Sequence, residues 1–115
     1  MQEDQPKLPA EVATTLAPNL RRALDHPTRR RILRALNVSS GAQTLEALCD
    51  VAPQASVSAI RYHAFVLEEC GSVSVVVGRP HHGSPGYRYA SNVADDGTVV
   101  EALRATQQLD DQADV

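Results

Sequence analysis

One change of period constrains this chain more than any other feature. Up to Gly71, apolar residues recur at helical spacing. Directly after it, "SVSVVV" is a β-branched run, and "YRYA" alternates as a returning strand. Between the two runs lies "GRPHHGSPG", with three glycines and two prolines, read as a turn-rich hairpin tip. The chain is therefore expected to be mainly helical, with one small β-hairpin placed late.

The helical part divides at its caps and breakers. In "EVATTLAPNLRRALD", Val12, Leu16, Leu20 and Leu24 recur every four residues, and Pro18 implies a kink or two shorter helices. "HPTRRRILRALN" opens on Pro27, which suits a first helical turn, with Asp25 or His26 as cap; Ile32, Leu33 and Leu36 form its stripe. After the loop "SSGAQ", "TLEALCDVA" reads as a short third helix with Leu45, Leu48 and Cys49 inward. "PQA" turns, and Ser56 caps a fourth helix. Beyond the hairpin, "ADDGTVVEALRATQQL" gives a last helix with the stripe Val99, Ala102, Leu103 and Thr106. That order is a winged helix-turn-helix with additional N- and C-terminal helices. Residues 1–8 are expected to be disordered, 9–109 to form the domain, and 110–115 to be a frayed acidic tail.

At 115 residues the chain has room for one domain, and with 3% aromatics its core must be Leu, Val, Ile and Ala. No run approaches the roughly 18 apolar residues of a membrane span. The N-terminus has neither the basic start nor the apolar stretch of a secretory signal, so a cytoplasmic protein is expected. Cys49 and Cys70 make no disulfide scaffold and read as small apolar residues.

A net charge of −3 argues against nucleic acid until its distribution is examined. Residues 21–90 hold nine basic and five acidic side chains, and both ends are acidic. A basic middle can bind phosphate locally. In the fourth helix, Ile60, His63, Ala64 and Leu67 share one face at i, i+3, i+4, i+7 spacing, which is core. The opposite face carries Ser58, Arg61, Tyr62, Phe65 and Glu69. Its N-terminal half offers a hydroxyl, a guanidinium and a phenol; its C-terminal half offers Glu68 and Glu69, which repel phosphate. Such a helix meets DNA with its N-terminal end, as a recognition helix enters a major groove. Ser58, Arg61 and Tyr62 are the candidate base readers. Arg29, Arg30, Arg79 and Arg88 are the candidate phosphate contacts.

Three stretches carry a family likeness. "ALDHPTRRRILRAL" (23–36), "SVSAIRYHAFVLEECGSV" (56–73) and the hairpin return "GYRYA" resemble the second-helix opening, the recognition segment and the wing of ArsR-type winged-helix transcriptional regulators. The likeness covers residues 20–92. It implies a homodimeric regulator, a repressor in the first instance, on a palindromic operator of double-stranded DNA. It also implies terminal helices that pair two copies, here through Val12, Leu16, Leu20, Val99 and Leu103. The sequence departs from the family pattern at Arg61 (usually Ser), Ala64 (usually Leu) and Phe65 (usually polar). An outward Phe65 either touches a thymine methyl, packs under the wing, or marks a rotated helix.

Metal sensing, frequent among such relatives, finds no ligand set. Cys49 stands alone in the third helix, and the last helix has Asp95, Asp96 and Glu101 but no histidine. His63 reads as a buried, hydrogen-bonded core histidine, His26 as a cap, and His81 and His82 as exposed wing residues that gain charge near pH 6. No cofactor is expected. No phosphate loop, nucleophile elbow or carboxylate pair points to an enzyme. The competing expectation is a winged helix that binds a protein partner, distinguished by a patchy charge surface rather than one basic face.

Overall fold

A computed structural model describes residues 7–81 and 84–113. Among them are six helices and one two-stranded antiparallel sheet, the winged helix-turn-helix architecture expected from the sequence. Pro18 resolves the first apolar segment into two pieces, α1 (Ala10–Ala13) and α2 (Pro18–Leu24). It sits in the first turn of α2, where its missing N–H costs nothing.

Each helix of the central trio starts on a side-chain cap. His26, not Asp25, caps α3 (Pro27–Asn37): its Nδ1 accepts from the Thr28 N–H at 3.0 Å. Thr44 caps α4 (Leu45–Val51) by accepting from the Ala47 N–H at 3.2 Å. Ser56 caps α5 (Val57–Glu69) by accepting from the Ala59 N–H at 3.1 Å. These bonds satisfy helix-end donors that would otherwise lack a partner. Leu24, Ile32, Leu33, Ile60 and Leu67 have no exposed surface and join the helices in one core.

Helix α5 ends in a paired backbone lock. The Gly71 N–H donates to the Glu68 carbonyl and the Ser72 N–H to the Leu67 carbonyl, both at 3.0 Å. Gly71 has φ +80, the left-handed conformation this ending needs. The chain thereby leaves α5 and enters β1 (Val73–His81), which pairs with β2 (Ser84–Ser91). The strands run farther than the sequence implied. Most of residues 78–86, expected as a tip, is strand, with pairs at Gly78↔Gly86 and His81↔Ser84 and an irregular register between them. Pro80 and Pro85 lie in that irregular part, and proline brings no N–H to a ladder. At its base the hairpin gains a third short partner, Gln43, which exchanges two backbone hydrogen bonds with Tyr89.

Asp96 caps α6 (Gly97–Ala113), its Oδ1 accepting from the Thr98 and Val99 N–H groups at 3.0 and 3.2 Å. One expectation fails on this helix. The acidic tail does not begin at residue 110: the helix continues, and Asp110 is wholly buried because it follows Val99, Leu103 and Thr106 along the inward stripe. The dimerisation stripes are also largely used within one chain. Leu16, Val99 and Leu103 are core residues, and Val12 and Leu20 pack partly buried against that core. A second copy would find almost no surface left on the first three.

No helix among the described residues is long and apolar enough to cross a membrane. No group of three or more His, Cys, Asp or Glu side chains among them could hold a metal ion.

Candidate nucleic-acid interface

Helix α5 sits as its periodicity requires. Ile60, His63, Ala64, Val66 and Leu67 are buried, and Ser58, Arg61, Tyr62, Phe65, Glu68 and Glu69 are exposed. Tyr62 is 57% exposed and Phe65 52%, well above what core aromatics show. Arg61 is exposed and makes no hydrogen bond or ion pair with another described residue. The N-terminal half of α5 therefore presents a free guanidinium, a phenol and the Ser58 hydroxyl beside helix-end N–H groups, a local environment that favours anions.

His63 fixes how this helix sits. Its ring packs on His26 with centroids 4.3 Å apart, and its Nδ1 lies 3.1 Å from Arg29 Nη1. Arginine can only donate, so Nδ1 is the acceptor and the ring is neutral. Burial, then the neighbouring His26 and Arg29, pushes the His63 pKa down to about 4. Burial and the charges of Arg29 and Arg30 lower His26 as well, against the opposing pull of Asp25.

The α3 arginines are where sequence reasoning placed the wrong residues. Arg30 is not a phosphate contact. It has no exposed surface; its Nε and Nη2 donate to the two Asp110 carboxylate oxygens at 2.8 and 2.6 Å, and Nη1 donates to the Leu24 carbonyl. Arg34 completes the cluster through Asp110 Oδ2 at 2.8 Å and the Leu103 carbonyl at 2.9 Å, and Arg31 donates to the Asp110 carbonyl. Burial alone would raise the Asp110 pKa; hydrogen bonds and charge from Arg30 and Arg34 outweigh it and hold the carboxyl below its ordinary value. Arg29 is half-buried and also turned inward. Besides His63 it donates to the Ala23 and Arg22 carbonyls, so it positions α5 against α2 while staying partly exposed.

The wing contributes differently from its two faces. The pairs Val75↔Tyr89 and Val77↔Tyr87 fall on one face of the hairpin, and Val76↔Arg88 on the other. Val75, Tyr87 and Tyr89 line a groove of about 350 Å³ with Arg61, Phe65 and Glu68 of α5. Arg88 is exposed on the face turned away from that groove. Arg79 lies on β1, and its side chain falls outside the described residues, as do His82 and the His81 side chain. At the far end of α5, Glu69 pairs with Arg22 at 3.2 Å.

The structure thus groups Ser58, Arg61 and Tyr62 on one exposed half-helix, leaves Arg88 on the outer wing face, buries Arg30, and ties the half-buried Arg29 to His63, Ala23 and Arg22. Two features went unread in the sequence. One is Asp110, whose signal was a charged residue at the next position of an inward stripe. The other is the groove, whose signal was the alternation of Tyr87 with Tyr89 and of Val75 with Val77.

A family model described as a helix-turn-helix domain matches residues 24–71, the span of α3, α4 and α5. No curated protein sequence matches the chain. The matched domain is one of DNA-binding regulators, and it ends at the glycine that releases the wing.

Proposed function

We propose that this protein is an ArsR-type regulator that binds a palindromic operator as a homodimer and represses transcription by occupying it. The observation that carries the reading is the exposed N-terminal half of α5, where Arg61, with no hydrogen bond or ion pair among the described residues, stands beside Ser58 and Tyr62 on a Ser56-capped helix. Arg61 reads a base edge, Ser58 and Tyr62 support it, and Arg79 and Arg88 of the wing hold phosphates. Dimerisation uses the groove between α1 and α6, lined by Val12, Thr15, Gly97, Ala102 and Ala105. Its small side chains allow close approach of a second copy.

The test is fluorescence anisotropy on a duplex selected from a random pool. Arg61→Ala relaxes preference at one base pair, at a cost of about 1–3 kcal/mol. Arg79→Ala weakens binding to every sequence alike and flattens the salt dependence. Equal effects of both variants on all sequences would remove the division of labour.

One observation favours a second reading. Arg30 is buried and Arg31 and Arg34 bond to α6, so the basic face is thinner than the sequence implied, while Tyr62, Phe65 and Tyr87 are exposed together. A winged helix of that surface also suits a protein partner. Failure of any duplex to be enriched by the selection would favour it.

A further inference from the structure

The groove between α5 and the wing holds apolar groups that the fold leaves uncovered. Phe65 is 52% exposed and Tyr87 50%, although α5 has fully buried residues a few positions away. The hairpin register puts Val75, Val77, Tyr87 and Tyr89 on one face, and Phe65 and Arg61 line the groove from the helix side. No hydrogen bond or ion pair engages Arg61 among the described residues, and Glu68 stands at the C-terminal end of the same groove.

We infer that this groove receives the 5-methyl group of an operator thymine, with Phe65 as the residue that selects it. The inference rests on the DNA-binding reading above and deepens it. Three physical points favour this occupant. The groove continues directly from the candidate base-reading face. Phe65 follows Arg61 by four residues on the same exposed side, about 6 Å along the helix axis, close to two base-pair steps of about 3.4 Å. The groove's charge, one arginine at one end and one glutamate at the other, rejects a phosphate beyond Arg61 and suits an uncharged group. The thymine methyl is the one apolar group that base pairs display in the major groove. A polar residue at position 65 would gain nothing from it; a phenylalanine backed by Tyr87 and Val75 removes it from water.

The experiment uses the full chain. Duplexes are selected from a random pool, and in the enriched duplex each thymine is replaced in turn by deoxyuridine, which deletes the methyl group and leaves base pairing unchanged. Affinity is measured by anisotropy for the wild type, Phe65→Ala and Tyr87→Ala, with circular dichroism melts to establish that each variant is folded. The expected result is one sensitive thymine per half-site, one or two base pairs from the position relaxed by Arg61→Ala. Its replacement should weaken wild-type binding about fourfold, the effect of burying one methyl group. Phe65→Ala should bind the thymine duplex about as weakly as wild type binds the uridine one, and should no longer distinguish them. Specific binding in which no thymine can be told from uridine overturns the inference and leaves the regulator reading intact; it would make the groove a surface for a protein partner. Undiminished uridine sensitivity in Phe65→Ala also overturns it. A selection that enriches nothing overturns the DNA-binding reading itself, and this inference with it.

Discussion

Asp110 shows how much one side chain can hold in a chain this short. Its carboxylate joins Arg30 and Arg34 of α3 to α6, with all of Asp110 and Arg30 out of solvent. Ion pairs in such places return little net stability against a well-packed apolar alternative, but removing one partner leaves an uncompensated buried charge. Asp110→Ala is therefore expected to destabilise the fold by about 3–5 kcal/mol in urea titrations, with loss of helix at lower denaturant. The histidine pair makes a second residue-scale prediction. His26 and His63 are both held below their ordinary pKa, so the unfolded chain binds protons that the folded one refuses. Stability contributed by keeping them neutral is complete above about pH 6.5 and is lost as pH falls toward the folded value of about 4 for His63. Asp110, also held below its ordinary value, acts in the same direction at still lower pH. Melting temperature should fall across that window. His63→Asn, which keeps an acceptor for Arg29 but does not titrate, should flatten the slope; an unchanged slope would assign the acid sensitivity elsewhere.

Among the elements, the junction of α5 with β1 sets where the wing stands relative to that helix. Gly71 is the hinge of that geometry, and a Cβ added there would meet no neighbouring atom within 4 Å. The cost of Gly71→Ala is therefore conformational alone, about 1–2 kcal/mol for an L-residue in the left-handed region. A thermal melt should register that loss while DNA affinity of the folded protein at low temperature stays near wild type. A larger affinity loss would mean the wing had moved. This junction was legible before the structure because everything that makes it is local: a helical period, a glycine, then a β-branched run. The Ser56 cap and the inward face of α5 were legible for the same reason. The arginines of α3 were not. Four of its side chains carry the same charge, and which of them turn inward depends on where α6 packs, about 80 positions later in the chain. Charge alone sends Arg29 and Arg30 to phosphates; packing gives Arg30 to Asp110 and Arg29 to His63. The wing tip was misread because glycine and proline signal a turn locally, whereas cross-strand pairing extends through much of it.

At the scale of the whole molecule, the question is what surface α1 and α6 still offer once Leu16, which follows α1, and Val99 and Leu103 of α6 have gone into the core. Leu16, Val99 and Leu103 support one subunit, so a homodimer must use what lies beside them. The groove between the two helices is floored by Val12 and Ala102 and edged by Thr15, Gly97 and Ala105, with Glu11 and Glu101 at its rim. A two-fold contact there would join α6 of one copy to α1 or α6 of the next, and a palindromic operator requires two recognition helices about 34 Å apart. Ala105 is exposed and lies outside the buried stripe, so it can be changed without opening the core. Ala105→Glu adds a third carboxylate to a rim that already has two, and should convert a dimer to a monomer in sedimentation equilibrium while the melting temperature measured at low protein concentration changes little. On DNA the same variant should lose most of its advantage for the full palindrome over a single half-site, because two linked contacts become two independent ones. If Ala105→Glu remains dimeric and keeps that advantage, the copies meet on another surface, and the groove between α1 and α6 has no part in assembly.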